Sequence, residues 1–112
     1  MTKTDVLRAL QNHLGKENGI PAEDLVKEIC GFKLEPSSQL RLLRRLITEL
    51  RLEGNQICGH PTTGYYLAAT ADELNDTCNF LYSRAMASLK QVSRMKNIAL
   101  PDLQGQLKLP VD

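Results

Sequence analysis

Aromatic side chains are scarce in this chain: three tyrosines, two phenylalanines and no tryptophan in 112 residues. No apolar run approaches the roughly 20 residues that cross a bilayer. The opening MTKTDVLRAL lacks the apolar stretch of a signal peptide. A membrane is therefore not an expected partner, and a cytoplasmic location is expected. Cys30, Cys58 and Cys78 are odd in number and widely spaced, which fits reduced thiols better than a disulfide framework. Cys58 and His60 have the types of two metal ligands, but no second Cys/His cluster completes a tetrahedron, so neither metal nor other cofactor is expected. Charge of one sign is also missing. Fourteen basic residues face thirteen acidic ones, for a net +1, and only their distribution can favour an anionic partner.

Signals of catalysis are absent as well. There is no glycine-rich phosphate loop after a strand, no His-x-x-x-His pair and no nucleophile elbow. His13 lies near the end of the first expected helix, where positive charge is favoured. Glu23-Asp24 and Asp72-Glu73 open expected helices, where the helix dipole accounts for them. The chain is not expected to be an enzyme.

What is present is an ordinary globular balance, 42% hydrophobic and 24% charged, in a length that suits one domain and an appendage. Thr4 is a cap for a helix beginning at Asp5, with Val6, Leu7, Leu10 and Leu14 as its apolar stripe and Gly15 as its stop. Ile20 stands alone before Pro21, an extended residue suited to pairing with a later hairpin. Pro21 suits a first helical position, and AEDLVKEIC predicts a second helix over residues 22–30, ended by Gly31. Ser37 or Ser38 then caps a third helix over about residues 38–53. Leu40, Leu43, Leu46, Ile47 and Leu50 line one side of it, and Gln39, Arg41, Arg44, Arg45, Thr48 and Arg51 the other.

After Gly54 the period becomes alternating. NQICGH, the turn PTTG and the return YYLAA predict a hairpin over residues 55–69. One tyrosine should cover the core beside Ile57, and the other should face solvent or a partner. Thr70 and Glu73 form a capping box for a long fourth helix to about Met95. The divisions expected are 1–70, 71–96 and a flexible tail 97–112, the tail docking loosely through Leu100, Leu103 and Leu107 or folding on a protein partner.

That order of elements, with SSQLRLLRRLITELRLEGNQICGHPTTGYYLA at its centre, resembles the winged helix-turn-helix. The most specific pieces are Leu46-Ile47, Leu50-Arg51, Gly54, Ile57-Cys58 and Gly64-Tyr65-Tyr66-Leu67-Ala68. They are similar to the DNA-binding module of the biotin repressor and to small winged-helix proteins of phages and prophages. The resemblance implies a mainly α fold with a small β-hairpin (α+β) and a long C-terminal helix. It also implies a role in sequence-dependent binding of double-stranded DNA, as a transcriptional regulator or replication accessory. The third helix would enter the major groove beside the hairpin wing.

By residue type, Gln39 and Arg41 suit base edges and Lys33, Ser37 and Arg45 suit phosphates, with Ser38 and Arg44 in the same expected DNA-binding set. His60, Thr62 and Thr63 at the hairpin tip would reach an adjacent groove. The bland alternative is a solvated helix face, with Glu49 and Glu53 as intrahelical partners of the arginines. Leu74, Cys78, Leu81, Ala85, Ser88, Val92 and Met95 recur at the seam spacing of a two-stranded coiled coil, which suits a homodimer, while the same stripe could pack back on the first two helices; the first half is expected to pack on the domain and the second to pair or hold the tail. A different class of function, a winged helix docking a protein through its tyrosines and tail, remains open.

Overall fold

The computed structural model describes residues 1–31 and 36–102. Lys33 and the tail positions Leu103 and Leu107 lie outside the described residues. The elements are α1 (Lys3–Leu10), a 3-10 turn over Lys16–Asn18, α2 (Ala22–Cys30), α3 (Pro36–Leu52), β1 (Ile57–His60), β2 (Gly64–Leu67) and α4 (Ala71–Lys96). The fold is mainly helical, with one two-stranded antiparallel sheet and a long C-terminal helix. The chain divides into a unit over Met1–Thr77 and a second unit from Cys78 onward.

In the first unit, α1 starts and ends earlier than its apolar spacing suggests. Asp5 is the third helical residue, so its reciprocal partner is Thr2 rather than Thr4. Thr2 Oγ1 accepts the Asp5 N–H, and the Asp5 carboxylate accepts the Thr2 N–H. The helix stops at Leu10 because the next residues are taken by the sheet. Leu67 donates its N–H to the His13 carbonyl, and Leu14, 54% exposed, lies in a bridge beside Leu67 instead of extending the stripe.

The second helix, α2, occupies residues 22–30 as expected, although Pro21 takes the cap position rather than the first helical one. In α3 it is Pro36 that comes first, where a fixed φ and a missing N–H cost nothing. Ser37 and Ser38 therefore sit inside the first turn, not at the cap. The helix ends in a Schellman turn at Gly54, whose φ is +97°: Asn55 N–H returns to the Leu50 carbonyl and Gly54 N–H to that of Arg51.

The core of this unit joins Val6 and Leu10 of α1, Leu25 and Val26 of α2, Leu43, Leu46, Ile47 and Leu50 of α3, and Ile57 of β1. All are aliphatic, and burial of each such side chain contributes about 1.5–3 kcal/mol. The register pairs Ile57 with Leu67, Cys58 with Tyr66 and Gly59 with Tyr65. Side chains alternate across a strand, so Ile57, Tyr65 and Leu67 share the core-facing side, while Cys58 and Tyr66 share the other.

That second side is covered by the start of α4. The Cys58 thiol lies 3.6 Å from the Glu73 carbonyl, and Gly59 N–H reaches Thr77 Oγ1 at 3.3 Å. Of the two rings, one expected on the core and the other toward solvent or a partner, Tyr66 is 4% exposed and Tyr65, on the side of Ile57, is half-buried. Burial pushes the Cys58 thiol and the Tyr66 hydroxyl above their usual ranges. The thiol, buried against the first turns of α4, serves as a packing group.

In the second unit, α4 ends in another Schellman turn, with Asn97 left-handed at φ +57° and Ile98 N–H bonded to the Ser93 carbonyl. Ser93 Oγ also donates to the Ile98 carbonyl. Ile98 and Leu100 are half-buried. Among the described residues, no helix is long and apolar enough to cross a membrane.

Candidate nucleic-acid interface

At about 100° per residue, the exposed positions of α3 fall on one side. Ser37, Ser38, Arg41, Arg44, Arg45, Thr48 and Leu52 are all exposed and occupy a sector of roughly 120°. The buried Leu43, Leu46, Ile47 and Leu50 lie opposite. This alternation backs the helix onto the core and leaves three guanidinium groups in water. Ser37 to Leu52 is a strip roughly 22 Å long at the standard rise.

The carboxylates near this helix are directed elsewhere. Glu53 pairs with Lys3 of α1, and that contact, with Glu49 adding at longer range, raises the Lys3 ammonium above its usual value. Among the described residues, Arg41, Arg44 and Arg45 have no carboxylate within ion-pair distance. The intrahelical pairs of an ordinary solvated face are thus not formed with Glu49 or Glu53.

Two polar residues of the helix belong to other faces. Gln39 is half-buried and falls on the side of Leu43 and Leu46, so it does not stand with Arg41 toward a base edge. Arg51 donates its Nε–H to the Ile57 carbonyl at 2.7 Å, tying the end of α3 to β1. The open side instead includes Thr48, whose hydroxyl returns to the Arg44 carbonyl, and Leu52, 83% exposed. Helical phase alone separates these groups.

At the hairpin tip, His60 and Thr62 are exposed and engaged with each other. Thr62 N–H donates to His60 Nδ1 at 3.2 Å, and Thr62 Oγ1 lies 2.8 Å from the same nitrogen. Thr63 is half-buried. Its carbonyl packs so close to Gly19 that a Cβ there would lie 2.1 Å away. The tip is consequently held down by the 15–21 loop. It carries no lysine or arginine.

His13 acts beyond the end of α1. Its Nδ1 meets the Asn18 carbonyl at 2.8 Å and its Nε2 meets Glu28 Oε2 at 2.9 Å, clamping the loop to α2. Glu73 takes a similar part for α4. Its carboxylate accepts Lys16 N–H at 2.9 Å and Ala69 N–H at 2.8 Å, while its own N–H reaches Thr70 Oγ1. Those backbone donors, Lys16 first, hold the carboxyl below its usual range.

Along α4, Leu74 is half-buried, and Cys78, Leu81, Ala85, Ser88, Val92 and Met95 are all exposed. Tyr82 is 54% exposed beside this seam, with Phe80, Met86 and Leu89 half-covered. Arg84 lies over the Phe80 ring, 5.7 Å from its centroid. Among the described residues, no group of three or more His, Cys, Asp or Glu is placed to hold a metal ion. No family model, curated protein or solved structure matches the chain.

Proposed function

We propose that the protein is a small, non-enzymatic winged helix-turn-helix factor of the cytoplasm that binds duplex DNA. Its role would be that of a transcriptional regulator or a phage or prophage replication accessory. The observation that carries this reading is the open side of α3, where Arg41, Arg44 and Arg45 project from a helix whose back is buried and no described carboxylate pairs with them. A helix of this kind enters the major groove, and guanidinium groups serve both phosphates and guanine edges. Ser37 and Ser38 in the first turn add hydroxyl donors toward the same side.

Recognition by the wing is the lesser part, since its tip has no cation and is packed on Gly19. The competing proposal, a protein-docking module, loses one of its two wing tyrosines, because Tyr66 is enclosed. We also propose that two copies pair through the exposed seam of α4, which would present two recognition helices to one site.

Binding to mixed-sequence duplex at several salt concentrations is the test. The natural chain is expected to bind at low salt, with affinity falling linearly on a log–log plot. The triple variant Arg41→Ala/Arg44→Ala/Arg45→Ala, folded by circular dichroism, is expected to bind at least ~10-fold more weakly, with a salt slope smaller by about two to three. A natural chain silent toward every duplex at low salt, or a triple variant that binds equally well, overturns the reading.

A further inference from the structure

The sign of charge changes along α4. Asp72, Glu73 and Asp76 occupy its first two turns, whereas Arg84, Lys90, Arg94 and Lys96 follow with no acid after Asp76. A parallel pair would bring like charges together at both ends and align two helix dipoles. An antiparallel pair sets the acidic start of each helix against the basic end of the other and opposes the dipoles.

The spacing of the exposed seam suits that reversal. Aligning the helices antiparallel over Cys78–Met95 sets Cys78 opposite Met95, Leu81 opposite Val92 and Ala85 opposite Ser88 of the second copy, with each layer occurring twice. The small Ala85 and Ser88 fall at the centre, where close approach is easiest, and the larger side chains fall outside them. Tyr82 then lies beside Leu89 of the second copy, extending the apolar contact past the seam.

Resting on the dimer proposed above, we infer that α4 pairs antiparallel with a second copy of this chain in this register. The parallel alternative makes an opposite demand on one atom pair, because Cys78 would then face its own counterpart across the seam at disulfide-forming distance.

Two measurements on the full chain test the arrangement. Light scattering or sedimentation first gives the mass; a monomer at tens of micromolar removes the dimer itself. Mild oxidation of Met95→Cys, in a Cys30→Ser background, then reads the orientation by peptide mass spectrometry. The expected product is an intermolecular disulfide between Cys78 and the introduced thiol, while the Cys30→Ser chain with Met95 intact gives no Cys78–Cys78 product. A dimer that cross-links Cys78 to Cys78, or one in which Met95→Cys links to no Cys78, overturns the antiparallel register and leaves the dimer standing. Duplex binding by α3 is read separately, so its failure is distinguishable from either result.

Discussion

Gly64 occupies the most constrained position of the hairpin. Its φ is +75°, and a Cβ there would lie 2.2 Å from the Ile20 carbonyl oxygen and 2.6 Å from Pro21 N, both backbone atoms. Gly31 shares the sign of φ, at +77°, but among the described residues nothing lies within 4 Å of a Cβ built there. The comparison separates strain from collision. Gly31→Ala is expected to cost about 1–3 kcal/mol from backbone strain alone, because φ +77° with ψ −179° is a region nearly confined to glycine. Gly64→Ala adds displacement of the loop and is expected to cost more than Gly31→Ala. Urea unfolding of the two variants checks the order, and equal costs would deny the close packing at Gly64. At this scale the turn PTTG placed Gly64 where the hairpin returns. Its contact with Ile20 joins residues 44 positions apart, beyond any local pattern. The same limit applies to Tyr65 and Tyr66: alternation placed them on opposite faces, but which face α4 covers depends on where that helix lands.

At the scale of elements, helix existence was legible and helix borders were less so. Period and caps indicated α2, α3 and α4, because an amphipathic stripe is a property of neighbouring residues. The starts of α1 and α3 shifted, since a capping box requires its partner three residues back and proline prefers the first turn. Arginines on the open side of α3 were readable from composition, whereas the diversion of Arg51 to Ile57 and of Glu53 to Lys3 required tertiary contacts. Glu73 offers a test of one such contact. Its carboxyl titrates lower folded than unfolded because backbone N–H groups bind the anion, so its contribution to stability is present above the usual carboxylate range and lost as pH falls through the folded value. Glu73→Gln is therefore expected to be less stable than the natural chain at pH 7, with the gap closing toward pH 3. Asp5, also held low by its capping box, is common to both chains and cancels in the difference. A gap independent of pH would mean that the anion is not what the Lys16 and Ala69 amides bind.

At the scale of the molecule, the proposed duplex binding and the proposed self-pairing would draw on different surfaces, one on α3 and one on α4. Variants of the Arg41, Arg44 and Arg45 set are expected to leave the mass in solution unchanged. The hairpin answers to the whole first unit. β2 has β1 along one edge, and along the other it exchanges hydrogen bonds with the segment between α1 and α2: Tyr65 N–H to the Ile20 carbonyl at 2.8 Å, Ile20 N–H to that of Tyr65 at 2.9 Å, and Leu67 N–H to that of His13 at 2.8 Å. Its faces are closed by the helical core and by the first turns of α4. An isolated two-stranded ribbon frays in water within microseconds. In deuterated solvent, by contrast, the Tyr65, Tyr66 and Leu67 protons of this strand should be among the last to be lost, at the rate of the α3 interior and only when the first unit opens as a whole. Loss of those protons within the time of the slowest loops would mark the strand as a separately opening flap.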